Sequence, residues 1–184
     1  MKSFAALSFL ASVAALVGAQ RINGPVEFVC EDLQVLSTSY IGDASQVKAQ
    51  TVHCANLERR SNLVKSKRAA PTNVCGAACT TNCFTPSGGG PNPNDCQVIA
   101  DALLYDSQNT GNLFNITIGT PVYMQYATCE TFFVNQASVN QTYCRDDWST
   151  VTEYVADNCQ STQNAHGGNC VADDGSWFIQ IQAS

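Results

Sequence analysis

The clearest periodicity in the chain begins at Cys96. Apolar residues recur at Cys96, Ile99, Ala100, Leu103 and Leu104, at i, i+3, i+4, i+7 and i+8, with Asp101 and Gln108 available to water. That spacing gives a helix one buried stripe. Asn94 with Gln97 three residues on has the form of a capping box, and Pro91 and Pro93 keep the helix from starting earlier. Past the turn-forming residues 109–112 the period changes from about 3.6 to 2. Phe114, Ile116 and Ile118 share one side of a strand, and Asn115 and Thr117 share the other. Residues 123–134 read as one long strand, introduced by a turn at Pro121. Ala127, Cys129 and Phe133 fall on one of its faces; Tyr126, Phe132 and Val134 fall on the other. A second helix is predicted over 146–158, where Asp146 and Asp147 suit the positive amino end and Trp148, Val151, Val155 and Cys159 form a stripe. His166, Gly167 and Gly168 read as a loop. In a final strand Trp177, Ile179 and Ile181 alternate with Phe178, Gln180 and Gln182.

Upstream the pattern is weaker. Residues 26–30 and 51–54 are strand-like, with Val26, Phe28 and Cys30 on one face and Val52 with Cys54 on another. Cys75, Cys79 and Cys83 stand four apart among weak helix formers such as Gly76, Thr80 and Asn82, which favours a disulfide-pinned loop or irregular strand. Pro86, Ser87 and the glycines up to Pro91 make a turn. The order of elements predicts an α+β fold. We expect a small, disulfide-rich, two-layer sandwich in which an antiparallel sheet carries two helices on one face, in the split βαβ manner.

Charge divides this pattern in two. Lys and Arg stand at 2, 21, 48, 59, 60, 65, 67 and 68, then only at 145, whereas ten of the fifteen acidic residues follow position 68. Met1 and Lys2 precede an apolar run over residues 4–17, and Val17, Gly18 and Ala19 are small enough for signal peptidase, so residues 1–19 read as a secretion signal. The run is shorter than the roughly 20 residues a membrane span needs. The basic stretch Lys65, Ser66, Lys67, Arg68, followed by Ala69, Ala70 and Pro71, resembles a kexin-type processing site in a fungal secretory precursor; Arg59 and Arg60 offer a second cut. The expected organisation is therefore a signal peptide at 1–19, a propeptide or amino-terminal module at 20–68, and a mature domain at 69–184. If cutting does not occur, the module stays as a subdomain.

Ten cysteines behind a secretion signal imply an oxidising compartment, with each cysteine half of a disulfide. Cys30 and Cys54 can pair within the module. Cys75, Cys79, Cys83, Cys96, Cys129, Cys144, Cys159 and Cys170 then allow 105 connectivities, which the sequence leaves open. Asn115 with Thr117 and Asn140 with Thr142 are N-glycosylation sequons, the first on the outward side of its strand and the second in a polar loop. A mature part with Arg145 as its only cation disfavours nucleic acid and anionic lipid as partners. We expect no cofactor, no membrane anchor and a monomer.

Candidate chemistry is sparse. His166 is the only histidine after the junction, which excludes two-histidine ribonuclease catalysis and a multi-histidine metal site there. An acidic ribonuclease would have to recruit Glu130 or Glu153 with Arg145 and His166. The plainer reading pairs Arg145 with Asp146 or another local carboxylate and leaves His166 as a solvated loop residue. Paired carboxylates for glycoside hydrolysis would come from Asp101, Glu130, Asp147, Asp173 and Asp174. Asp173, Asp174 and Gly175 more simply form a turn. Trp148 and Trp177 fit a core, with sugar stacking as the alternative.

Asp95 and Cys96 opening a helix, residues 126–129 in a strand, a helix ending at Cys159, and Gly167, Gly168, Asn169 and Cys170 before Trp177 resemble small secreted cysteine-rich proteins of basidiomycete fungi. More distantly, residues 95–181 are similar to the necrosis-inducing effector domain and to killer-toxin-like α/β sandwiches. The hydrophobin pattern of adjacent cysteines is absent, and the 32 residues between Cys96 and Cys129 exceed the spacing of the fungal haem-binding cysteine-rich domain. The resemblance supplies no catalytic residues. The delivery signals, the cysteine framework and the scarcity of catalytic constellations point to a secreted, non-enzymatic effector or toxin-like protein that meets an extracellular protein or glycan. A compact secreted hydrolase and a wall-associated glycan-binding protein are the alternatives.

Overall fold

The computed structural model describes residues 21–57, 70–85 and 88–184. The expected signal at 1–19, the processing residues Arg60, Lys67 and Arg68, and Pro86 and Ser87 of the turn lie outside the described residues. Among the described residues there are ten strands: β1 (Gln34–Ile41), β2 (Val47–His53), β3 (Thr72–Asn73), β4 (Cys79–Cys83), β5 (Leu113–Ile116), β6 (Val122–Tyr126), β7 (Cys129–Asn135), β8 (Gln141–Cys144), β9 (Gly167–Ala172) and β10 (Trp177–Ala183). Helix α1 (Pro93–Asn109) precedes β5. Helix α2 (Arg145–Val155) follows β8 and continues as a π-helical stretch, Ala156–Thr162. Residues 55–57 are also helical.

The main sheet has seven strands in the order β1-β2-β6-β7-β10-β9-β4, and every neighbouring pair is antiparallel. A small sheet runs β3-β8-β5, with β3 parallel to β8. The molecule is thus an α+β, disulfide-rich sandwich built on a large antiparallel sheet.

Strict alternation sorts the strand residues between two cores. Ile179, Ile181, Phe133, Met124, Val47 and Cys170 join Ile99, Leu103, Trp148 and Val155 of the helices in the larger one. Phe178, Phe132, Val134, Tyr123 and Val171, pointing the other way, join Ile22, Phe28, Val52, Cys54 and Leu57 in the second. Residues 21–57 are therefore built into the same molecule. β2 pairs with β6, and the segment ahead of β1 lies over the sheet face turned away from the long helices. The β1–β2 turn also docks on α1. Gly42 donates its N–H to Asp106 Oδ1 at 3.3 Å, and with φ +88° it passes so close that a Cβ would stand 2.8 Å from that of Ala102.

Five disulfides use all ten cysteines. Cys30–Cys54 closes on itself within the amino-terminal segment. Cys75–Cys144, Cys79–Cys170, Cys83–Cys159 and Cys96–Cys129 join parts of residues 75–170. Two of them pin the edge strand β4.

Several local expectations are corrected. Helix α1 is capped by Asn92, whose Oδ1 accepts from the Asn94 N–H at 3.0 Å, and not by Asn94. Pro93 does not hold the helix off; it is its first residue, where the missing N–H would have had no partner in any case. The strand expected over 123–134 is the hairpin β6–β7, reversed at Ala127 with φ +47° and Thr128. Asp95 holds that turn, accepting from the Thr128 backbone N–H at 3.1 Å and from its hydroxyl at 2.6 Å. Gly167 and Gly168 begin β9 rather than a loop. At Gly168 a Cβ would lie 2.7 Å from Cys159 Sγ and 2.9 Å from the Asn82 carbonyl oxygen, so the bare backbone is what lets β9 sit under the π-helical stretch. Residues 26–30 are not a strand, and β1 is an element that periodicity did not announce.

Candidate interaction surface

The residues considered for catalysis have separate structural employments. The Arg145 guanidinium donates to the carbonyls of Gly111 and Leu113 and lies 5.5 Å over the Phe114 ring, fastening residues 111–114 to the start of α2; among the described residues it pairs with no carboxylate. His166 is not a free loop residue. Its Nε2 stands 3.4 Å from Glu27 Oε2 of the amino-terminal segment, and its ring is 5.7 Å from Phe84. Glu130 accepts from Gln182 Nε2 at 3.1 Å; burial pushes its carboxyl up, opposed by that hydrogen bond and by Lys48. Glu153 lines an open groove on α2 with Thr150, Tyr154 and Asp157.

The other carboxylates hold local structure. Asp101 accepts from Gln97 Nε2 at 3.0 Å, Asp147 from the Gly76 N–H at 2.7 Å, and Asp173 from the Thr80 hydroxyl at 3.1 Å. Asp174 accepts from the Ser176 N–H at 2.8 Å, and its hydrogen bonds to Ser176 hold its carboxyl below the usual range. Trp148 and Trp177 are fully buried. Cys75, Cys144 and Asp147 bring ligand-type atoms within 4.8 Å of one another, but the two sulfurs are bonded to each other and supply no thiolate.

Both sequon asparagines lie exposed at the small sheet. Asn115 on β5 faces Thr142 on β8 in register, and its Oδ1 accepts from that hydroxyl at 3.0 Å. Asn140 Oδ1 accepts from the Ile118 N–H at 3.2 Å. In each it is the amide oxygen that makes the hydrogen bond, and a glycan would be carried by the nitrogen.

The most elaborated polar arrangement is on the main sheet's outer face. Register places Tyr123, Phe132, Gln180, Asn169 and Asn82 in one row across β6, β7, β10, β9 and β4. Val134, Phe178 and Val171 form the next row. Over these rows runs the arm, residues 21–29, and three buried carboxamides bind its main chain. Gln136 Oε1 accepts from the Ile22 N–H at 2.8 Å, and its Nε2 donates to the Ile22 carbonyl at 3.0 Å. Asn169 Nδ2 donates to the carbonyls of Gly24 and Val26 at 3.1 and 3.3 Å, while its own Oδ1 is fixed by Asn82 at 3.2 Å. Gln180 Oε1 accepts from the Phe28 N–H at 2.8 Å, and its Nε2 returns to the Phe28 carbonyl at 3.1 Å. Asn169 and Gln180 are completely buried. Burying carboxamides on an apolar sheet face is costly unless their hydrogen bonds are met, and here the arm's backbone meets them.

Only two arm side chains enter the sheet face. Ile22 and Phe28 are buried, the latter with ring centroids 5.6 Å from Phe178 and 6.0 Å from Phe132; Arg21, Asn23, Pro25, Val26, Glu27 and Val29 are exposed. Exposed apolar residues gather in the same part of the chain, at Val26, Val29, Leu33, Val35, Leu36 and Tyr40. Sequence reasoning did not single out Gln136, Asn169 or Gln180. The available signal was a carboxamide at the centre of a strand otherwise filled by Trp177, Phe178, Ile179 and Ile181.

Among the described residues no helix is long and apolar enough to cross a membrane. In comparison with known proteins, no family model and no curated sequence matches the chain.

Proposed function

We propose that this chain is a secreted, non-enzymatic effector or toxin-like protein, cut at its dibasic junction and acting by binding outside the cell that makes it. The observation that carries this reading is the outer sheet face, where three buried carboxamides are arranged to hold polypeptide main chain. Five disulfides tie the fold against an environment rich in proteases, in keeping with an oxidising, extracellular setting. The hydrolase alternative draws less support, because Arg145, His166 and Glu130 are each engaged with different neighbours and Glu153 lines a groove that none of them shares.

The test is to isolate the protein from its natural producer, determine its amino-terminal sequence and its intact mass before and after deglycosylation, and apply it to target cells. Amino termini at Gln20 and Ala69, attached glycan and saturable cell binding are expected. Glu153→Gln and Asp101→Asn should each leave the action on cells intact. Loss of that action in one of these variants, with the fold retained, would convert the reading to an enzyme.

A further inference from the structure

We propose that the sheet face beneath residues 21–29 is a binding groove for an extended stretch of another polypeptide, and that the chain's own arm fills it as a replaceable plug. The inference rests on the reading that the protein works by binding, and it names the class of partner.

Gln136, Asn169 and Gln180 together make six hydrogen bonds with the arm, all to main-chain N–H or C=O groups of residues 22, 24, 26 and 28. Main-chain recognition with pockets for alternate side chains is how extended peptides are held, and it does not depend on the occupant's full sequence. Sequence enters at four places. Ile22 and Phe28 plug the face, Arg21 lines a groove together with Asp173 and Asp174, and Glu27 pairs with His166 at 3.4 Å. A competing stretch would therefore carry two large apolar residues six positions apart, a base before the first and an acid before the second.

The receiving side is fixed whether or not the arm is present. β7, β10 and β9 are consecutive in the sheet, Cys79–Cys170 ties β9 to β4, and Asn82 orients Asn169. The arm itself is held by these non-covalent contacts alone. It precedes Cys30, belongs to no strand, and is retained at its far end by Asn56 Nδ2 donating to the Val29 carbonyl at 2.9 Å. When it lifts, water reaches the carboxamides, so the groove opens without stranding buried polar groups. An open groove of about 690 Å³ flanks the arm's start, lined by Arg21, Asn23, Thr80, Asn82, Asp173 and Asp174, and gives an incoming chain a way in.

The experiment uses the full chain and a fluorescent synthetic peptide of residues 21–29, followed by anisotropy. In the Ile22→Ala/Phe28→Ala variant the arm is loosened, and saturable peptide binding is expected. The unaltered protein should bind at least about tenfold more weakly, because its groove is occupied in cis. Adding Gln180→Ala to the loosened variant should reduce binding, as should replacing the peptide's Phe by Ala. No saturable binding to a loosened variant whose near-ultraviolet circular dichroism matches the parent overturns the proposal. Should that variant fail to fold, hydrogen exchange of the unaltered protein decides. Excess peptide should speed exchange of the Ile22 and Phe28 amides, and unchanged exchange overturns the groove. A protein that binds target cells but fails the peptide tests loses only the groove; one that binds peptide but no cell loses only the effector reading.

Discussion

Glu130 is half-buried beside Gln182, and burial raises its carboxyl pKa more than Gln182 and Lys48 lower it. A folded pKa above the unfolded one means that the native state binds the proton more tightly. The associated stability is present below the ordinary carboxylate range and is lost as pH rises through the raised value. Glu130→Gln should therefore raise the melting temperature at about pH 8 and change it little at about pH 4, since Gln still accepts from Gln182. A lower melting temperature for the variant at the higher pH would refute this. Gly168 makes the opposite case, where an added atom harms. Its Cβ would meet the sulfur of Cys159, already tied to Cys83, and the Asn82 backbone, neither of which can swing away. Gly168→Ala should cost about 1–3 kcal/mol in denaturant unfolding, the usual range for overpacking a close-packed site. Unchanged stability would mean that β9 and the π-helical stretch separate more easily than their close approach at Gly168 suggests.

Helix α1 depends on its first turn, where Asn92 caps the backbone and Asp95 reaches across to Thr128. Asn92→Ala should cost about 1 kcal/mol by chemical denaturation, with Asn94→Ala near neutral; the reverse ranking would restore the cap that the sequence suggested. That two-residue displacement shows how legibility worked in this chain. The stripe from Cys96 to Leu103 and the alternation at Trp177, Ile179 and Ile181 are written in local spacing, and both elements formed where that spacing placed them, although Leu104, expected on the buried stripe, is exposed. β1 was illegible because it is exposed along nearly its whole length and so carries no buried alternation. The β6–β7 reversal was hidden because Ala127 adopts φ +47° without being a turn-type residue. The candidate surface was the least legible of all. Asn169 and Gln180 come side by side only through strand register, Gln136 stands just past the end of β7, and the main chain they hold lies more than a hundred residues earlier.

At the scale of the whole molecule the disulfides leave one junction without a covalent tie across it. Cys30–Cys54 lies wholly before the basic stretch at 65–68 and the other four disulfides lie wholly after it, so a cut following Arg68 leaves no covalent bond between the two parts. Non-covalent contact between them is extensive. β2 continues the main sheet beside β6, Val47 is enclosed in the helix-side core, and Val52, Cys54 and Leu57 help to close the other. The β1–β2 turn adds Gly42 against α1. A side chain such as Val47 or Leu57 contributes about 1.5–3 kcal/mol by leaving water, and several must be re-exposed together before the parts separate. The cut protein should therefore run as one species in gel filtration and as two pieces in non-reducing denaturing electrophoresis. It would be a two-chain protein in which the segment before the cut persists as a light chain. Elution of residues 69–184 alone would show that these contacts do not outlast the peptide bond, and that the outer sheet face is bared by processing itself. Co-elution would leave displacement of the arm, rather than loss of the segment, as the step that opens it.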